Sequence, residues 1–135
     1  MPTTNSRQLT LTTVGANVTI NVTYNAVFSV FERHLAGLGL EFRERIAVIG
    51  IDPPGATTGA VVGNFPSPNL AVTDGAVAQT IARNVSMTLT RASLQEDPAA
   101  GDADEIRCRI RIEANGLPPA VTPDAFTDQE ISQSL

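Results

Sequence analysis

Five carboxylates crowd one short run of the chain, LQEDPAAGDADEIRCRIRI from Leu94 to Ile112: Glu96, Asp97, Asp102, Asp104 and Glu105. Hard oxygen donors at this density suit calcium, which takes about six to eight of them. The spacing departs from an EF-hand, because Asp102-Ala103-Asp104-Glu105 lacks the third loop ligand, the central glycine and the closing glutamate. Calcium is therefore the one cofactor candidate. Its competitor is a solvated acidic loop, which Pro98 and Gly101 favour as the connection of an antiparallel pair at 85–94 and 105–114.

Arg107, Arg109 and Arg111 follow at once, alternating with Ile106, Cys108, Ile110 and Ile112. On a strand, alternate residues share a face about 6.6 Å apart, so three guanidiniums line one side while the apolar set enters the core. Like charges this close need acidic partners or open solvent. Glu41, Glu44 and Glu113 are the candidates within the chain, and carboxylates of another protein are the candidates outside it. The arginine row is thus a candidate interface.

A second candidate interface carries no charge. In NVTINVTYNAVF, Asn17, Thr19, Asn21, Thr23 and Asn25 alternate with Val18, Ile20, Val22, Tyr24, Ala26 and Phe28, and Thr10, Thr12, Ser86, Thr88 and Thr90 repeat the device elsewhere. Ordinary solvated sheet faces carry lysine, glutamate and arginine, partly to block edge pairing. A hydroxyl-and-amide face can instead meet another protein surface without desolvating charges. Sugar or ice would be further partners for such a face, but sugar binding wants aromatic platforms and aromatics make up only 4% of the chain.

Catalytic groups are sparse. Cys108 is the one cysteine and lies in phase with the apolar side of its strand, which reads as a small buried hydrophobe rather than a nucleophile. His34 is the one histidine and reads as a surface residue; without a second, no ordinary zinc site forms within one chain. GATTGAVVG lacks the lysine of a phosphate-binding loop, and GLG at 37–39 lacks the third glycine of a dinucleotide site. No nucleophile elbow is present, so the expectation is a protein that is not an enzyme.

The elements that position these groups follow from the same alternation. RQLTLTTV, NVTINVTYNAVF, NVSMTLT and IRCRIRIEA read as strands with one buried side, and IAVIGI at 46–51 as a central strand buried on both. Turn residues between 52 and 75 punctuate two short strands, near 60–62 and 70–73. Ser29-Val30-Phe31-Glu32 matches a capping box, with Phe31, Leu35 and Leu38 on one stripe, and predicts a helical turn or two near 29–36. Thr122-Pro123 and Thr127 to Glu130 offer another short helix near 123–133, or an extended arm. The expected fold is an all-β antiparallel sandwich of about seven to nine strands, immunoglobulin-like or jelly-roll-like.

Bulk properties bound the rest. The 135 residues fit one domain, 1–135, with an N-terminal arm at 1–6 and a C-terminal arm or short helix at 116–135. A net charge of −5 opposes a nucleic-acid partner. No apolar run approaches the roughly 20 residues of a membrane helix, and the N-terminus shows no signal peptide, so the expected place is the cytoplasm or a larger particle. All nine basic residues are arginines. The expectation for function is a structural or assembly subunit, of the kind found in a virion or phage-like particle. It would self-associate, or bind another protein, through neutral strand faces and ordered arms. The alternative is a carbohydrate- or calcium-binding module using loops 95–105 and 53–68.

Overall fold

A computed structural model describes residues 2–51, 60–94, 104–115, 125–126 and 131–133. The chain is an all-β sandwich of two packed antiparallel sheets. Sheet A has the order β1–β2–β6, from β1 (Thr3–Val14), β2 (Asn17–Phe28) and β6 (Gln79–Thr90). Sheet B has the order β4–β3–β7–β8, from β4 (Ala60–Asn64), β3 (Glu41–Ile51), β7 (Asp104–Asn115) and β8 (Ala125–Phe126). Two short strands complete it: β5 (Asn69–Leu70) pairs with β3, and β9 (Ile131–Gln133) pairs with β7.

Alternation builds the core as the sequence predicts. Val18, Ile20, Val22, Tyr24, Ala26 and Phe28 of β2 face Phe42, Ile46 and Val48 of β3 and Ile106, Cys108, Ile110 and Ile112 of β7 in one buried cluster. Phe28 and Phe42 meet as a tilted pair with ring centroids 5.0 Å apart, a geometry that rings favour over a face-to-face stack. Ile46 to Gly50 is buried on both sides, as a continuous apolar run requires. β1 and β2 join through a two-residue turn in which Gly15 holds a positive φ of 60°. A side chain disfavours that conformation and glycine does not.

Helix α1 (Val30–Gly37) begins at Ser29 with the predicted capping box: Ser29 Oγ accepts from the Glu32 amide, and Glu32 Oε1 accepts from the Ser29 amide. The expected apolar stripe does not face the core, however. Phe31 is 70% and Leu38 87% exposed, while Glu32 is buried and Ala36 and Leu40 pack on the core. An eight-residue helix takes its rotation from its anchors. Here those are the cap and Arg33, which donates to the carbonyls of Thr73, Asp74 and Val77.

Two other expectations change. The strands bracketing the acidic run do not pair with each other: β6 belongs to sheet A and β7 to sheet B, linked through α2 (Arg91–Leu94). Alternation fixes which face a strand buries and leaves its partner open. Residues 91–103 are also long enough to cross the roughly 10 Å between packed sheets. The N-terminal arm is not separate either. Thr3, Thr4 and Asn5 pair with Val27, Ala26 and Asn25 as the start of β1. At the C-terminus the described residues are extended, and β8 and β9 both add to β7.

Candidate functional site

Three polar arrangements stand out on this scaffold. The first is the outer face of sheet B, where β3 and β7 run antiparallel with Arg43 opposite Glu113, Arg45 opposite Arg111, Ala47 opposite Arg109 and Ile49 opposite Arg107. The arginine row predicted on β7 therefore meets a second one on β3. Arg45 pairs diagonally with Glu113, while Glu41 accepts from Asn69. Arg45, Arg109 and Arg111 line a recess of about 240 Å³ together with Asn64 at the end of β4 and with Phe65 and Ser67 just past it.

Glu44, considered as a partner for that row, points the other way. It lies in phase with Phe42 and Ile46, and its side chain is only 1% exposed inside the sandwich. Arg83 of β6 grips it with Nε at 2.8 Å and the second fork nitrogen at 3.2 Å, and the Tyr24 hydroxyl donates to the same carboxylate. Tyr24 and Arg83 are cross-strand neighbours on sheet A, so the triad pins one sheet to the other. Burial, with the hydrogen bond to Glu44, pushes the Tyr24 phenol well above its ordinary value. The hydrogen bond to Glu44 outweighs desolvation and raises Arg83. Such a triad suits a structural role, since both oxygens of its carboxylate already accept hydrogen bonds from the opposite sheet.

The third arrangement is the outer face of sheet A. Asn17, Thr19, Asn21, Thr23 and Asn25 of β2 project outward between Gln8, Thr10 and Thr12 of β1 and Asn84, Ser86, Thr88 and Thr90 of β6. Asn21 Nδ2 donates to Asn84 Oδ1 and Ser86 Oγ, each at 2.7 Å. Thr19 and Thr88 hydroxyls lie 3.3 Å apart, and Asn25 Nδ2 donates to Asn5 at 3.1 Å. This ordered amide and hydroxyl ladder carries no charge. Its borders differ: β1 is interrupted by a bulge between Asn5 and Gln8, with Ser6 at a φ of 53°, whereas β6 pairs without a break from Gln79 to Thr90.

The remaining candidates divide. Glu96, Asp97 and Asp102 lie outside the described residues, and Asp104 and Glu105 open β7. Among the described residues no group of three or more histidine, cysteine or acidic side chains is placed to hold a metal. Cys108 is fully buried, and burial alone pushes its thiol up to about 12, as a packing residue would have it. His34 is exposed, as expected, and pairs with Asp74, whose carboxyl that hydrogen bond lowers. No described helix is long and apolar enough to cross a membrane. Comparison with known proteins finds no matching family model, no matching curated protein and no matching solved structure.

Proposed function

We propose that the chain is a non-enzymatic structural subunit that self-associates through sheet A. The observation that carries this reading is the charge-free outer face ending in the long, regular edge of β6. An exposed edge strand presents unpaired amides and carbonyls to any other strand, and soluble proteins blunt it with lysine, proline, bulges or cover. β6, QTIARNVSMTLT, contains no lysine or proline and no bulge, and no strand covers its outer edge among the described residues. Its one charge, Arg83, is turned inward onto Glu44.

Antiparallel pairing of β6 with β6 of a second copy brings like faces together. A register centred on Val85 sets Ile81 against Leu89 and Arg83 against Met87, and on the outer side Asn84 against Ser86. Ile81, Val85, Met87 and Leu89 are only partly buried in the single chain, so such a partner would cover apolar surface as well as pair backbone. The outer ladders then run on from copy to copy with no charge repulsion.

Light scattering coupled to size exclusion tests this. Wild type is expected to gain mass with concentration, and Ser86→Lys with Thr88→Lys, both exposed and outward-facing, is expected to remain monomeric with unchanged circular dichroism. A wild type that stays monomeric at the highest attainable concentration overturns the proposal.

A further inference from the structure

We propose that Glu44 permits β6 to join a second copy by masking the charge of Arg83, a role that rests on the self-association through sheet A proposed above. Five residues of β6 share its inward phase: Ile81, Arg83, Val85, Met87 and Leu89, set opposite Ala26, Tyr24, Val22, Ile20 and Val18 of β2. Arg83 is the only charge in that row and in the strand. An inward-pointing charge on an edge strand is one of the devices that prevent edge pairing, because an added strand would strip water from it. Taken alone, β6 therefore carries its own guard.

Sheet B disarms that guard. Glu44 reaches across the sandwich from β3, and its two oxygens accept from Nε and Nη2 of Arg83 at 2.8 and 3.2 Å. The Glu44 side chain is 1% exposed and that of Arg83 26%. The carboxylate thus lies inside and the guanidinium at the rim, where a strand added to β6 would cover it. In the register centred on Val85, Arg83 stands opposite Met87 of the second copy, and the two-fold relation covers both guanidiniums at once. Covering a paired guanidinium desolvates a nearly neutral unit, whereas covering a free one desolvates a full charge. The outward side of β6, from Thr80 to Thr90, carries no charge, so Arg83 is the strand's one electrostatic obstacle. Stability alone does not require the pair, since apolar residues of like volume in place of a buried ion pair are often neutral or stabilising.

Sedimentation equilibrium on wild type, Glu44→Met, Arg83→Met and the double variant tests this, at a temperature where circular dichroism shows each to be folded. Removing Glu44 leaves an unpaired cation at the rim and is expected to weaken association about tenfold or more. Removing Arg83 leaves only the enclosed carboxylate, away from the joining edge. Arg83→Met is therefore expected to associate at least as well as wild type, and the double variant likewise. A purely structural triad predicts the opposite order, because losing Arg83 strands a buried charge and costs the fold more than losing Glu44. Should Glu44→Met fail to fold, Glu44→Gln, which keeps the shape and one acceptor, supplies the same comparison. A wild type that associates no better than the Glu44 variant, or an Arg83→Met weaker than it, overturns the role of Glu44 and leaves the sheet A reading standing. A wild type that stays monomeric throughout overturns both.

Discussion

Replacing Arg83 with methionine removes the cation that grips Glu44 while leaving its carbon stem to pack. The carboxylate is 1% exposed and stays behind with Tyr24 as its remaining partner. Breaking a buried ion pair from one side costs about 3–5 kcal/mol. The lower end applies, because the Arg83 side chain is 26% exposed and water can reach where the guanidinium stood. For a domain of this length about 3 kcal/mol corresponds to a Tm lower by roughly 10 °C. Glu44→Met alone leaves the guanidinium at the rim, able to hydrate, and should cost less. The double variant, Glu44→Met with Arg83→Met, replaces the pair by apolar volume and should recover most of the loss, since such replacements are often neutral or stabilising. Urea unfolding of all four proteins gives the coupling energy, expected at about 2 kcal/mol. Strictly additive losses, or an Arg83→Met cost below about 1 kcal/mol, would show that the triad does not hold the sheets together.

Two further outcomes follow from single-copy residues. Tyr24 is the only tyrosine and the chain has no tryptophan, so ultraviolet titration reports this phenol alone. Its folded value is raised, so its contribution is complete below about 10, the unfolded value, and is lost as pH rises beyond it. Tyrosinate should therefore form together with alkaline unfolding, and an ordinary titration in the folded protein contradicts the buried hydrogen bond. Cys108, fully buried with its thiol pushed up to about 12, should resist thiol reagents near neutral pH and react at the rate of unfolding. Rapid labelling of the native protein counts against its placement in the core.

Much of this fold is legible in the sequence, because strand alternation is a direct record of which side is buried. Val18 to Phe28 and Ile106 to Ile112 enter the core where their phase puts them, and the capping box at Ser29 starts a helix where its side chains can satisfy free amides. The same phase places Glu44 between Phe42 and Ile46, a signal that it faces inward and away from the arginine row. What alternation does not carry is the identity of the neighbouring strand. β6 and β7, adjacent in sequence, therefore lie in different sheets, and the opposition of Arg45 to Arg111 emerges only with the register of β3 on β7. The exposure of Phe31 has a similar origin, since helical spacing defines a stripe and Arg33 on the 73–77 turn sets which way it points.

Hydrogen exchange along β6, followed as protein concentration rises, bears most directly on self-association. Within Gln79–Thr90, alternate amides donate to β2 and the others point away from sheet A. If copies join edge to edge, the second set becomes protected with increasing concentration, while the first set stays protected throughout. If the outward amides exchange at the same rate in dilute and concentrated samples, β6 is not the joining strand and the central proposal fails.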